Sequence, residues 1–291
     1  VVFPQPGGAS IRVNEFGISM IGSMLIVRFI SFYFASVTNI RYESYIESLN
    51  SCRLMNSICF FEDEKIDQET IIFTDQKRLG HLHNHLKSKI SDQLTITILN
   101  QGIYKAVIQD LNLERCVLKI KESMTQTEGW FHLLVGLSRP QTIKKILEHS
   151  STLGACSFDL FKAQLSEKSY SQSKIYEDLN FREYLIDGIS QSRLYYNLPS
   201  FSLSKYLQFE KYTAHENKFF LSLNSNKTFK DIDTEKLKNP LLAIGPERGW
   251  TKAEEDRLMQ QGFIPIKVSQ STLRVEHAIY TSIGQLEMLT L

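Results

Sequence analysis

Three observations predict an α/β protein whose main domain carries a mostly parallel sheet. From about residue 126 onward, short apolar strands alternate with helical segments, a pattern that leaves parallel strands covered by helices on both faces. Ahead of it, residues 93–120 contain three strand-like runs, the first two joined by Asn100-Gln101-Gly102, which predicts a small antiparallel, barrel-like β-domain. The chain has 291 residues, 42% of them hydrophobic and 22% charged, enough for one large or two moderate cores and far from the composition of a disordered protein.

The elements follow in order. Residues 16–37 are strongly apolar, but Arg28 stands in the middle, where it costs about 2.5–3.5 kcal/mol on insertion scales, so a clean membrane span is not expected. Met55 opens "MNSICFFEDEKID", which reads as a natural start with a short strand and an acidic turn, so 1–54 is expected to be an upstream extension or a targeting segment outside the core fold. The β-domain then occupies 55–125 and the α/β domain 126–291. "QKRLGHLHNHLKSK" (76–89) is basic. It reads equally as a phosphate-contacting stretch or as a solvated helix, and its Leu79, Leu82, Leu86 stripe spreads His81, His83 and His85 around the helix, against a shared metal. No metal is expected.

In the second domain, "WFHLLVGL" (130–137) reads as a buried strand, followed by a helix with Pro140 near its start and Gly154 past its end. Then come "ACSFDLF" as a strand, a helix over roughly 174–193, "KFFLSLN", "PLLAI", a helix over 252–261, "FIPIKV", and a last helix from about 273. Two junctions stand out, "LLAIGPERGW" (241–250) and "STLRVEHAI" (271–279). Both lie at carboxyl ends of strands, where open parallel sheets bind ligands. Gly245 and Gly249 allow close backbone approach, and Thr251 with Glu254 makes a capping box. Arg274 is expected in the first turn of the last helix, where a cation meets the positive end of the dipole at a cost of about 0.3–1 kcal/mol, which suggests a job other than local stability.

Charge and cysteines set further bounds. Lys+Arg number 33 against 32 Asp+Glu, so any nucleic-acid partner must be met by a local basic patch. Cys52, Cys59, Cys116 and Cys156 form no paired motif and read as reduced structural thiols, consistent with a cytoplasmic protein, or an organellar one if 1–54 is a targeting segment.

"IGPERGW" followed by "STLRVEHA" resembles the paired signature of the RsmE family, the 16S ribosomal RNA uracil-N3 methyltransferases of the SPOUT class, which reads Gly-Pro-Glu-Gly-Gly and then Leu-Gly-x-Arg-Ile-Leu-Arg-x-Glu-Thr-Ala. The resemblance spans most of 55–291; "RLGHLHNHLKSKISD" and "ISQSRLYYNLP" are similar to further family segments. It implies a PUA-like RNA-binding domain, a C-terminal trefoil knot and a homodimer; with no clean span expected at 16–37, no membrane partner is expected. It implies S-adenosyl-L-methionine as cofactor, held by Ile244, Gly245, Pro246, Glu247 and Gly249 of the first loop and Val268, Ser269, Thr272 and Leu273 of the second. It implies methylation at N3 of a uridine in small-subunit ribosomal RNA or the assembled subunit, with Arg274 and Glu276 catalytic and Arg78, His81, Lys87, Lys89 and Arg193 on the RNA. The chain departs from the pattern at Arg248 (family glycine), Ser269, Ser271 and His277. A left-handed backbone at 248 would strain the arginine by about 1–3 kcal/mol and crowd the cofactor, and an RNA-binding relative that has lost catalysis is the alternative reading.

Overall fold

The computed structural model describes residues 57–176 and 178–290; the expected extension over 1–54, with the start at Met55, lies outside the described residues. The first sheet contains β1 (Ile58–Phe60), β2 (Thr70–Phe73), β3 (Gln93–Ile98), β4 (Gly102–Leu111) and β5 (Cys116–Ser123), in the order β1-β3-β4-β5-β2. The hairpin expected at Asn100-Gln101-Gly102 is present, with Asn100 at φ 63° and antiparallel register from Gln93↔Val107 to Ile98↔Gly102. The sheet is not wholly antiparallel as expected, because β1 pairs with β3 in parallel.

Between β2 and β3 runs α1 (Gln76–Gly80), which widens into a π-helical turn over His81–Leu86 and ends at Lys87, whose φ is 52°. Asp75 caps it by accepting from the Arg78 N–H at 2.8 Å. Leu79 and Leu82 are buried against Phe60, Ile71, Ile96 and Leu118, which is the stripe the sequence shows. His83 meets the Asn112 carbonyl at 3.0 Å while the His81 and His85 rings face each other at 5.5 Å. Among the described residues no group of metal-ligating side chains converges.

The second sheet has six strands, all parallel, in the order β11-β9-β10-β6-β7-β8. The chain lays down β6 (Phe131–Gly136), α2 (Pro140–Thr152), β7 (Ala155–Phe161), α3 (Asp178–Ser192), β8 (Ser200–Ser204), β9 (Lys218–Leu221), β10 (Leu241–Ile244), α4 (Lys252–Gln260), β11 (Ile264–Ile266) and α5 (Val275–Thr290). Along β6, Leu133 and Val135 enter one core and Leu134 another, so both faces are buried and the strand reads as a continuous apolar run. Pro140 opens α2, and Gly154, φ 92°, ends the turn after it.

Helices α2 and α3 cross at Gly188, where an added Cβ would lie 2.1 Å from the Glu148 carbonyl oxygen. The first sheet is tied to α3 and the chain beyond it by backbone bonds from Ser57 N to Ser190 O at 2.7 Å and from Asn100 N to Tyr196 O at 3.0 Å. Strands β2 and β8 were not expected. Among the described residues, no helix is long and apolar enough to cross a membrane.

Candidate active site

Strand β10 lies between β9 and β6, both earlier in the chain, so the connections leave the sheet in opposite directions at this point. A crevice is forced open at the carboxyl ends of the strands there. The loops after β6, β9, β10 and β11 all reach a cleft of about 700 Å3 at this position. From the first signature, Ile244, Gly245, Pro246, Glu247 and Gly249 line it; from the second, Val268, Ser269, Thr272 and Leu273 do so, together with Arg274 and Glu276. Every residue expected at the cofactor or in catalysis therefore comes to one place, although the two groups are separated by α4 and β11.

The first loop is tight for a steric reason. Gly249 takes φ 72°, its N–H donates to the Pro246 carbonyl at 2.8 Å, and an added Cβ on Gly245 would stand 3.1 Å from the Gly249 carbonyl carbon and 3.3 Å from the Trp250 ring. Trp250 is anchored by an indole N–H bond to the Leu221 carbonyl at 3.0 Å and stacks on Phe161 at 5.9 Å. Thr251 and Glu254 form the expected capping box, and Glu254 also accepts from the Gln164 N–H at 2.9 Å, so this acid is structural. Glu247 accepts from the Arg139 N–H at 2.7 Å, which joins the β6 loop to the β10 loop. Arg248 is not among the positive-φ residues; the left-handed position is Gly249, so the strain expected at 248 is absent.

The second loop is held by the Gln285 side chain, which donates to the Val268 carbonyl at 2.9 Å, and by a Ser269–Ser271 hydroxyl contact at 3.1 Å. Helix α5 begins at Val275, one residue later than the reading of Arg274 required: Arg274 precedes the helix, and its carbonyl accepts from the Ala278 N–H at 2.8 Å. The side chain is exposed and has no ion pair among the described residues. Glu276 is only 4% exposed, and its carboxylate lies 3.8 Å from Lys145 Nζ. The Tyr280 hydroxyl donates to the Lys145 carbonyl at 2.9 Å, so α2 and α5 are coupled behind the cleft.

The residues expected on RNA are placed differently. Arg78 is half-buried: its guanidinium is 2.5 Å from Glu64, bonds the Cys59 carbonyl at 3.3 Å and lies over the Phe60 and Phe73 rings. Its charge is committed inside the domain. Lys87, Lys89 and Arg193 are exposed, Arg193 in the left-handed region at φ 55°, and His81 lines a separate cleft between α1 and α3. Sequence reasoning missed Arg139, Lys145, Leu221 and Trp250 as cleft residues. Arg139 was within reach, since it lies three residues past the end of β6 and directly precedes the helix-opening Pro140. Leu221 was not, because nothing local marks it. The thiols of Cys59 and Cys116 are pushed up to about 12 by burial, as expected of structural cysteines.

An open, all-parallel sheet with two short loops converging at its switch point, the first built on Gly245 and Gly249, defines a ligand-binding α/β domain of the strand-end type. Comparison narrows this: residues 125–287 match the family model of the RNA methyltransferase domain. The chain is 33% identical over 217 residues to ribosomal RNA small subunit methyltransferase E 1 of Borreliella burgdorferi, covering 72% of this chain and 89% of that one. It is 26% identical to ribosomal RNA small subunit methyltransferase E of Treponema pallidum, over 77% of this chain and 87% of the relative. The crystal structure of a ribosomal RNA small subunit methyltransferase E from Neisseria gonorrhoeae bound to S-adenosyl methionine superposes with a TM-score of 0.64 at 18% identity, covering 80% of this chain and 98% of that chain. The chain belongs to the RsmE-type family of ribosomal RNA methyltransferases within the SPOUT class.

Proposed function

We propose that this protein uses S-adenosyl-L-methionine to methylate N3 of a uridine in small-subunit ribosomal RNA. The observation that carries the reading is the convergence of both signature loops on one cleft with the exposed Arg274 at its wall. The residues fit the cofactor. A cleft of about 700 Å3 is in the range that encloses ligands of this size, and its apolar lining by Ile244, Ile266, Val268 and Leu273 leaves main-chain groups of 245–249 and 268–272 to hold the polar ends. Gly245 packs so closely on Gly249 and Trp250 that a side chain there would force this loop apart.

When bound, the cofactor supplies an electrophilic methyl group on a positively charged sulfur. The protein's task is to make N3 a nucleophile. Uracil N3 carries a proton, which passes to water at the open cleft and leaves the ring anionic. A guanidinium beside the ring stabilises this charge, and once the bound substrate covers the cleft such a contact is worth about 2.7–4 kcal/mol. Arg274 takes this role. Glu276, buried against Lys145, orients the ammonium and the start of α5 and thereby places Arg274; its part is positioning.

The wider reading follows from family membership. The 55–125 segment serves as a PUA-like RNA-binding domain and 126–291 as the methyltransferase domain, with a trefoil knot at the C-terminal end and a homodimer as the working unit in the cytoplasm. The insertion of β10 between two earlier strands supports the knot. On the RNA side, Lys87, Lys89 and Arg193 contact phosphates and His81 meets the RNA from the cleft between α1 and α3, while Arg78, paired with Glu64, holds α1 in place. Arg274→Ala tests the core of this proposal: methyl transfer to unmodified small-subunit RNA should fall by about a hundredfold or more, with the thermal midpoint and oligomeric state unchanged. A variant that methylates normally, or fails only because it unfolds, would remove Arg274 from catalysis.

A further inference from the structure

Arg248 stands where the resembling pattern has glycine, and the geometry gives it work to do. Four basic residues line the cleft, Arg139, Lys145, Arg248 and Arg274, against two acidic ones, Glu247 and Glu276. Lys145 is held by Glu276 at 3.8 Å, and the Tyr170 hydroxyl and the Glu247 charge push the Arg139 pKa up. Arg248 and Arg274 have no ion pair among the described residues. The neighbouring carboxylate of Glu247 accepts from the Arg139 N–H at 2.7 Å.

The backbone beneath Arg248 is fixed on both sides. Gly249 closes the turn by donating to Pro246 at 2.8 Å, and the Thr251 N–H donates to Glu254 at 2.9 Å. The left-handed conformation falls on Gly249, so Arg248 is presented without strain and its side chain is exposed at the cleft. A guanidinium on a rigid turn, with no internal carboxylate, is suited to a phosphate, which it binds through two parallel N–H bonds. A uridine that enters the cleft brings a phosphodiester on each side of its ribose.

We propose that Arg248 is a phosphodiester-binding residue, holding the RNA backbone next to the target nucleotide while Arg274 faces the base. This rests on the proposed ribosomal RNA substrate, and it gives the chain an RNA contact in the first loop that a glycine there could not make.

The test uses the full chain and unmodified small-subunit ribosomal RNA transcribed in vitro. Dissociation constants are measured across a potassium chloride series for the wild type, Arg248→Ala, Arg248→Gly and Arg248→Lys, with S-adenosylmethionine affinity measured separately by calorimetry. The alanine and glycine variants should each bind RNA more weakly and lose about 0.7–0.9 from the slope of log affinity against log salt, the share of one phosphate contact. The lysine variant should keep most of the slope, and cofactor affinity should be unchanged in all three. An unchanged RNA slope in the alanine and glycine variants overturns the proposal. So does a loss of cofactor affinity with RNA binding intact, which would assign Arg248 to the methionine carboxylate. Because RNA binding is read without turnover, a wild-type protein that binds RNA but transfers no methyl group would refute the catalytic reading and leave this measurement decisive for Arg248.

Discussion

Gly245→Ala is the sharpest probe of the first loop. The added methyl would meet the Gly249 carbonyl carbon at 3.1 Å, the Gly249 Cα at 3.3 Å and the Trp250 ring at 3.3 Å. None of these yields easily. Gly249 is pinned by its bond to Pro246 at 2.8 Å, and Trp250 by its bond to Leu221 at 3.0 Å. The loop must therefore open by a few tenths of an ångström, and the residues that move are those lining the cleft. Overpacking of this kind costs about 1–3 kcal/mol; if the cleft takes most of it, cofactor binding weakens by about 5- to 150-fold.

Gly249→Ala is the matched control. An added Cβ there meets nothing within 4 Å, but φ is 72°, so the cost is about 1–2 kcal/mol of backbone strain. That strain is present with or without ligand and should appear as lost stability more than lost affinity. Calorimetric titration with S-adenosylmethionine, paired with urea unfolding, separates the two. If folded Gly245→Ala binds as tightly as the wild type, or if both variants lose affinity and stability in the same ratio, the steric account of the loop is wrong.

Two further outcomes follow from the fold. The His132 pKa is held below the usual 6.5 by burial and then by His215, and that of His215 is lowered by burial against the opposing pull of Asp159. The unfolded chain therefore binds protons first, so stability should be full above the unfolded value and fall as pH drops through about 6.5 toward the lower folded values; a His132→Asn, His215→Asn double variant should flatten the urea midpoint between pH 7.5 and 5.5, and equal losses in both proteins would contradict the assignment. Gly188→Ala would place a methyl 2.1 Å from the Glu148 carbonyl oxygen and 2.8 Å from Ser151 Cβ, so α2 and α3 must separate and stability should fall by at least about 1–3 kcal/mol, whereas an unchanged urea midpoint would show that the helices slide apart freely.

Much of this architecture was legible in the sequence because its signals are local. The apolar runs at 131–136 and 241–244, Pro140 and Gly154 around α2, and the Thr251–Glu254 box each state their own structure. Strand β8, "SFSLS", was missed because it is a polar edge strand recognised only through its pairing with β7. Strand β2 is four residues long and gains its identity from β5. The parallel β1–β3 pair is a long-range choice that no local pattern encodes.

The site divides in the same way. The loops of 244–249 and 268–273 could be read from glycine, proline and the helix start, whereas Leu221 and Lys145 reach the cleft only through strand order and helix packing. Arg78 shows the opposite failure. It sits in a basic stretch, yet Glu64 lies 14 residues away in sequence and 2.5 Å away in space, and it takes the charge that composition seemed to offer to RNA.

The most direct test of the proposed activity is to incubate the purified chain with unmodified small-subunit ribosomal RNA and methyl-labelled S-adenosylmethionine, digest the product to nucleosides, and locate the label by mass spectrometry. Label in 3-methyluridine, arising from one position and lost with Arg274→Ala, is the result this account predicts. Label in any other nucleoside, or on a ribose oxygen, would contradict it, as would no transfer by protein that binds both RNA and cofactor.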